Sequence, residues 1–232
     1  MEMAMLNQSA DPIVTSSSVV PTMPTTDRLG VLAGHAKLVE TEFCYARDEE
    51  IYGEDEPAEY VYQVVHGAVR TYKSLSDGRR QIGAFHLPGD VFGLGLENVH
   101  RLTAEAIDDT RVRLVKRQSL ELAADTDAHV ARNLWAMTAR DLRRAEDHML
   151  LLGRKTARER VATFLLEMDR RLSVTGTMAL PMCRRDIADY LGLTLETVSR
   201  ALSQLNSEGA LDFSGARQIV LRNRRKLHNI DS

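Results

Sequence analysis

The sequence predicts an α+β fold with an N-terminal, jelly-roll-like β-roll, one long helix and a C-terminal winged helix-turn-helix domain. Short apolar runs separated by turn residues fill residues 43–115, and apolar residues then recur every three or four positions over residues 127–152. A helix, a short glycine-containing turn and a second helix follow over residues 183–207. The predicted units are a disordered tail at 1–26, the roll at 27–126, the long helix at 127–153 and the winged domain at 154–232.

The charge of the chain is nearly balanced overall but is divided unevenly along it. The 232 residues carry 30 Lys and Arg against 33 Asp and Glu, a formal net charge of −3. Residues 1–153 hold 16 basic against 24 acidic side chains (−8), whereas residues 154–232 hold 14 against 9 (+5). A basic C-terminal region is typical of a segment that contacts nucleic acid, so the near-neutral total does not exclude such a partner.

The composition predicts a soluble, cytoplasmic protein. The sequence contains no run of about 18 apolar residues, so it predicts no membrane-spanning helix. Residues 1–26 lack both the basic residues and the long apolar stretch of a secretory signal. This segment is rich in Ser, Thr, Pro and Met and predicts a flexible tail, followed by a short helix at 27–39. The two cysteines, Cys44 and Cys183, form no disulfide framework and are expected to stay reduced.

The first half of the chain has the pattern of an antiparallel β-structure. Residues 59–65 and 68–72 are two β-rich runs divided by a His-Gly pair, and Asp77-Gly78 supplies the positive φ of a hairpin turn. Several short strands at this spacing predict a small barrel or roll. Cys44, between two aromatic residues on a predicted strand, is expected to be a buried core thiol.

A long amphipathic helix is predicted over residues 127–152, with Gly153 ending it, and Thr156 and Glu159 then have the spacing of a capping box that starts the next helix. At 1.5 Å per residue the long helix would measure roughly 35–40 Å, too long for one small roll to cover. We therefore predict a seam between two copies of the chain, with packing on the roll alone as the alternative. The predicted dimerisation residues are Val130, Leu134, Met137, Ala145, Met149 and Leu152.

Residues 183–207 carry the most informative pattern. A helix is predicted at 184–191, a tight turn at Gly192, and a second helix from Thr194, which is a good N-cap. At 100° per residue the second helix has a core face and an outward face. The core face consists of Val198, Leu202 and Leu205, and the outward face of Glu196, Ser199, Arg200, Ser203 and Ser207.

The outward face has the residue types that read DNA in the major groove. Arg donates two hydrogen bonds to guanine, Glu accepts one from cytosine, and Ser bonds to a base or a phosphate. We predict base reading by Glu196, Ser199 and Arg200. Contacts to the DNA backbone are predicted for Arg184, Thr194, Ser203 and Arg217. A solvated face with a Glu196–Arg200 ion pair is the alternative.

A hairpin follows the second helix and is interpreted as a wing. Its two strands flank a Ser214-Gly215 turn, and Arg217 lies near the tip. The basic residues after it either contact phosphates or form a solubilising tail. They are Arg222, Arg224, Arg225 and Lys226.

These features resemble the CRP/FNR superfamily of bacterial transcription regulators over nearly the full length after residue 27. The most specific match is residues 186–200, in which Glu196, Ser199 and Arg200 are similar to the FNR and FixK branches. The resemblance implies a sensor-type roll and a homodimer on double-stranded DNA, with TTGAT-like half-sites about one helical turn apart. It also implies contact with RNA polymerase, and mainly activation of genes for low-oxygen respiration or nitrogen fixation.

The chain departs from two branches of that superfamily. Members that bind cyclic AMP carry a Gly-Glu pair and then Arg-Ser or Arg-Thr, whereas this chain has Gly93-Leu94-Gly95 and Arg101-Leu102-Thr103. Members with an iron–sulfur cluster carry several N-terminal cysteines, and residues 1–26 hold none. We therefore expect no cofactor and a FixK-like regulator, with gating by another small molecule as the alternative.

Cys183 lies at the predicted N-cap of the first helix of the helix-turn-helix, where relatives usually have Thr or Ser. A helix N-terminus beside Arg184 and Arg185 favours a thiolate, which is the form that peroxide oxidises. We predict that oxidation of Cys183 places negative charge beside DNA phosphates and lowers DNA affinity. The alternative is a small residue tolerated at a cap.

A β-roll also occurs in cupin enzymes, so an enzymatic function is the alternative of a different class. A cupin metal site resembles a His-x-His pair with a nearby Glu, but the 7 histidines of this chain include no such pair. The sequence also has no P-loop, Gly-x-Ser-x-Gly or Cys-x-x-Cys motif. We predict neither enzymatic activity nor a metal site.

Overall fold

The structure is a computed structural model that describes residues 40–95, 97–172, 176–215 and 217–231. The predicted tail at 1–26 and the predicted short helix at 27–39 lie outside the described residues. The described residues form a β-roll, two connecting helices and a C-terminal domain of helices with a small sheet.

The roll consists of two antiparallel sheets whose inner faces share a core, which confirms the predicted roll. The sheets have the strand orders β1-β8-β3-β6 and β2-β7-β4-β5. Val64, Val69 and Val112 are buried together between the sheets, because alternate residues of each strand point inward. The strands are β1 (Glu40–Tyr45), β2 (Glu50–Tyr52), β3 (Tyr60–His66), β4 (Val69–Ser74), β5 (Arg80–His86), β6 (Val91–Phe92), β7 (Thr103–Ala106) and β8 (Thr110–Lys116).

Two of the predicted turn positions have the expected backbone geometry. Gly67 has a φ of +82°, and a Cβ there would lie 2.5 Å from Thr110 Oγ1, so only glycine fits between β3 and β4. Gly78 also has a φ of +82°. The N–H of Arg79 donates to Asp77 Oδ1 at 3.0 Å, which closes the predicted hairpin between β4 and β5.

Two helices connect the roll to the C-terminal domain, α1 (Arg117–Thr126) and α2 (Ala128–Arg154). Asp127 caps α2, and its Oδ1 accepts a hydrogen bond from His129 N–H at 2.6 Å. The prediction that Gly153 ends this helix is wrong by one residue. A glycine costs a helix only about 1 kcal/mol, and the break comes at Lys155, whose backbone is extended (φ −89°, ψ 145°).

The C-terminal domain has the predicted winged helix-turn-helix architecture. Its sheet has the order β10-β11-β9, and Thr156 and Glu159 exchange the two hydrogen bonds of a capping box at 2.8 and 3.4 Å. The sequence did not predict the last helix, which Leu227 anchors in the core. The elements are α3 (Ala157–Leu172), β9 (Thr177–Ala179), α4 (Arg184–Leu191), α5 (Leu195–Ser207), β10 (Leu211–Phe213), β11 (Gln218–Leu221) and α6 (Arg224–Asp231).

The roll and the C-terminal domain share one apolar core. Phe85 of β5 lies 6.3 Å from Phe164 of α3 and 5.1 Å from Tyr190 of α4, measured between ring centroids. Strand β5 therefore packs directly on the first helix of the helix-turn-helix. Across the described ranges, no helix combines the length and the apolar character needed to cross a membrane.

Candidate nucleic-acid interface

A tight turn joins α4 to α5. Gly192 ends α4 in the left-handed conformation (φ 61°, ψ 41°), and the N–H of Leu193 donates to Ala188 O at 3.0 Å. Thr194 then caps α5 by accepting a hydrogen bond from Thr197 N–H at 3.2 Å. The two helices therefore have the short, glycine-containing connection of a helix-turn-helix, as predicted.

Helix α5 has the two faces that the sequence predicts. Val198, Leu202 and Leu205 are buried in the core of the domain. The opposite face is open to solvent, except that Ser199 is only half-buried. Its exposed members are Glu196, Arg200, Ser203 and Ser207.

Thr197 links the cap of α5 to the predicted guanine reader. Arg200 Nη2 donates to Thr197 Oγ1 at 3.4 Å, and that oxygen lies 3.0 Å from Thr194 Oγ1. Arg200 is thus held through Thr197 and not through the alternative pair with Glu196. A hydrogen bond from its own backbone N–H, and then one from Thr194, lower the pKa of Glu196, so its carboxylate is ionised and able to accept.

The four predicted backbone-contacting residues lie at different points of the domain. Arg184 is exposed at the start of α4, and its guanidinium lies 5.5 Å from the ring centroid of Phe213 in the wing. Arg217 Nη1 donates to Pro181 O at 2.9 Å, which ties the wing to the loop before α4. Ser203 is exposed on α5, and the Thr194 oxygen is engaged in the helix cap. Their contacts with DNA stay predictions.

Most of the basic residues after the wing are engaged within the protein. Arg224 forms two hydrogen bonds with Asp169 of α3 at 2.7 and 2.9 Å, and Lys226 donates to Glu208 O at 2.9 Å. Arg222 pairs with Asp212 of the wing at 3.1 Å. The contacts of Arg224 and Lys226 fasten α6 to the domain, whereas that of Arg222 stays within the wing.

The two cysteines have different surroundings. Cys183 is a free, half-buried thiol at the N-cap of α4, as predicted, and its backbone N–H donates to Asp186 Oδ2 at 3.0 Å. The prediction that Cys44 is buried is wrong, because it lies on β1 at the edge of its sheet and is exposed.

The predicted dimer seam is corrected in part. Val130 and Met137 are buried in one cluster with Val61 of the roll, and Leu134 packs against the same cluster, so these three side chains face their own roll. Leu152 is half-buried and packs against the core of its own C-terminal domain, so it does not belong to the open face either. The open face of α2 keeps two predicted members, Ala145 and Met149. It adds Trp135 (77% exposed) and Leu142 (60% exposed), which precede Met149 (66% exposed) at seven-residue spacing.

The two folded parts match known families. Residues 42–127 match the family described as cyclic nucleotide-binding domain, and residues 159–230 match the Crp-like helix-turn-helix domain. The chain is 47% identical over 197 residues to the nitrogen fixation regulation protein FixK of Azorhizobium caulinodans, across 83% of this chain and 79% of that protein. The chain belongs to the CRP/FNR family of transcription regulators.

Within the CRP/FNR family the similarity is to FixK proteins. The chain is 41% identical over 175 residues to FixK of Rhizobium meliloti, across 75% of this chain and 80% of that protein. The solved structure of FixK2 from Bradyrhizobium japonicum is similar with a TM-score of 0.82 and 79% identity, covering 84% of this chain and 98% of that one. The chain is therefore a FixK-type regulator with a DNA-binding helix-turn-helix. The matched relatives are regulators, so the enzyme alternative is set aside.

Sequence reasoning missed two features of this CRP/FNR chain. It did not single out Thr197, although a hydroxyl three residues before Arg200 on a helix is close enough to touch it. It also missed the pairing of Arg80 with Asp189, because these residues are 109 positions apart and no local pattern connects them.

Proposed function

We propose that this FixK-type chain acts in the cytoplasm as a homodimeric transcription activator that binds a palindrome of TTGAT-like half-sites. Its targets are genes for low-oxygen respiration or nitrogen fixation, a class supported by the names of the FixK relatives. The observation that carries the proposal is the solvent-exposed face of α5, where neither Glu196 nor Arg200 forms a salt bridge with any other described residue.

Each polar residue on or near that face has a proposed role. Arg200 donates to guanine O6 and N7, ionised Glu196 accepts from a cytosine amino group, and Ser199 contacts a neighbouring base or phosphate. The phosphate contacts fix the register of the protein on DNA without reading sequence. They are assigned to Arg184, Thr194, Ser203 and Arg217.

The open face of α2 is proposed as the dimer seam. Trp135, Leu142 and Met149 leave large apolar surfaces in solvent at the heptad spacing of a coiled coil. A second copy of the chain covers this stripe with the same stripe, which gives the two-fold symmetry that a palindrome needs. The DNA-bound dimer then contacts RNA polymerase.

We propose that neither a cyclic nucleotide nor an iron–sulfur cluster is needed. A cavity of about 1150 Å³ lies between the roll, α2 and α3. The residues that replace the cyclic AMP motif do not fit that ligand, because Leu94 offers no carboxylate to a ribose and Arg101 points into solvent, 3.7 Å from Glu97. The size of the cavity favours one second candidate, a regulator gated by a different small molecule.

Oxidation of Cys183 is proposed to switch DNA binding off. Hydrogen peroxide transfers one oxygen atom to the sulfur, giving sulfenic acid and water, and a second equivalent gives sulfinic acid and water. The new anionic group lies beside Arg184, one of the proposed phosphate contacts, and repels the DNA backbone.

The test is selection of DNA from a random pool by the purified full chain, without added ligand. The expected outcome is enrichment of a two-fold palindrome with TTGAT-like half-sites, and enrichment of no common motif would refute the proposal. Peroxide treatment should abolish enrichment by the parent and by Cys44→Ser but not by Cys183→Ser. Equal loss in Cys183→Ser would exclude the redox switch and leave the operator proposal intact.

A further inference from the structure

An arginine of the roll is bonded to the first helix of the helix-turn-helix. Arg80, the first residue of β5, donates from Nη2 to Asp186 Oδ1 at 2.7 Å and to Asp189 Oδ2 at 2.9 Å. Its Nε donates to Asp189 Oδ2 at 3.1 Å. These pairs are only about one-fifth exposed, so solvent screens them less than surface pairs.

Asp186 connects this contact to the start of α4. Its side chain is 3% exposed and accepts from Arg70 Nη1 of β4 at 3.3 Å as well as from Arg80. Its other oxygen accepts the N–H of Cys183 at the N-cap. Arg70 is in turn bonded to Glu105 and Asp48 of the roll. Strands β4 and β5 of the roll thus hold a carboxylate in the first turn of α4, Asp186, and one in its second turn, Asp189.

The other end of α4 is tied to the long helix. The ring of His148 in α2 stacks on Tyr190 with centroids 4.1 Å apart, and His148 Nε2 lies 2.8 Å from Tyr190 O. Arg160 donates to Leu191 O at 2.9 Å and to Leu152 O at 2.8 Å, so one side chain joins the last turns of α4 and α2. Helix α4 therefore contacts the roll through Asp186 and Asp189 and contacts α2 through Tyr190.

The direction of α4 determines that of α5, because Gly192 and the cap at Thr194 join them rigidly. In a dimer formed through α2, the direction of each α5 sets the distance between the two recognition helices. We propose that Arg80, with Asp189 and Asp186, is a positioning clamp that holds the recognition helices at operator spacing without a ligand. The inference rests on the proposed function, in which a dimer binds a palindrome, and it names the contact that fixes the spacing of the two recognition helices.

The test uses full-length Arg80→Gln, Asp189→Asn and the double variant, with Arg79→Gln as a matched control. Arg79 is the adjacent residue of the same hairpin, and within the described part of the chain its guanidinium pairs with Asp77 alone. Asp189 is preferred to Asp186 because its replacement leaves the Cys183 cap bond in place. Affinity is measured for the palindrome, for a single half-site, and for palindromes with one base pair added or removed at the centre.

The clamp predicts that Arg80→Gln and Asp189→Asn each weaken palindrome binding about 5- to 10-fold, with half-site binding within about 2-fold of the parent. The double variant should lose no more than Arg80→Gln alone, because that replacement already removes every contact between Arg80 and Asp189. The preference for native spacing should also weaken in all three, and Arg79→Gln should match the parent.

Two results would overturn the clamp. The first is that Arg80→Gln and Asp189→Asn bind the palindrome with the same affinity and the same spacing preference as the parent. The second is equal loss on half-site and palindrome with the spacing preference unchanged, since that pattern reports only a damaged DNA-binding domain. A parent that binds no palindrome would instead overturn the proposed function itself.

Discussion

Replacing Leu142 with alanine tests the proposed dimer seam on α2. Leu142 is 60% exposed in the single chain and lies midway between Trp135 and Met149 on the open stripe. Full burial of a leucine side chain contributes about 1.5–3 kcal/mol, so the exposed part would contribute about 1–2 kcal/mol per chain. A dimer buries two copies, and alanine retains part of the contact.

The expected loss is therefore about 1.5–3 kcal/mol per dimer, which raises the dimer dissociation constant about 10- to 150-fold. Analytical ultracentrifugation over a dilution series measures that constant directly. Leu122→Ala is the matched control, because Leu122 is also 60% exposed but lies on α1. The reasoning is refuted if Leu142→Ala dimerises like the parent, or if Leu122→Ala weakens the dimer equally.

Three further variants test the recognition helix and the roll. Arg200→Ala should cost about 1–3 kcal/mol of operator binding and flatten preference at one base pair, whereas equal loss on every sequence would contradict base reading. Thr194→Ala should lower the free energy of unfolding by about 1 kcal/mol in denaturant titrations because the cap to Thr197 is lost, and Thr194→Ser should retain it. Burial lowers the pKa of His86 to about 4, so the unfolded chain binds the extra proton between about pH 6.5 and 4. The free energy of unfolding of the parent should therefore decrease as the pH is lowered from about 6.5 to 4, with a slope of up to about 1.4 kcal/mol per pH unit. The same slope in His86→Gln would exclude His86 as the cause.

Local sequence patterns were sufficient to predict the helix-turn-helix. The cap at Thr194, the turn at Gly192 and the buried face of α5 each depend on residues within a few positions of one another. The capping box at Thr156 and the Asp77-Gly78 hairpin were predictable for the same reason. Such features depend on residues that are close together in the sequence, so they can be predicted without knowledge of tertiary contacts.

The faces of α2 could not be assigned in this way. The helix carries two apolar stripes, one ending in Met137 against the roll and one through Leu142 in solvent. Apolar residues three or four positions apart occur in both stripes. Periodicity alone therefore predicts one seam where the helix has two apolar faces. Which stripe faces inward depends on where the roll packs, and that is a tertiary contact.

Contacts between distant segments were also beyond sequence reasoning. No local pattern indicates the surroundings of Asp186, which is buried between Arg70 and Arg80 of the roll. The exposure of Cys44 follows from the edge position of β1, which the order of strands in the sheet decides.

The most direct measurement is the equilibrium affinity of the purified full chain for a TTGAT-type palindrome and for a scrambled duplex of equal composition, with and without cyclic AMP. We expect a preference for the palindrome of about 10³-fold or more at physiological salt, unchanged by the nucleotide. Equal affinity for both duplexes, or a preference that arises only when cyclic AMP is added, would contradict the account.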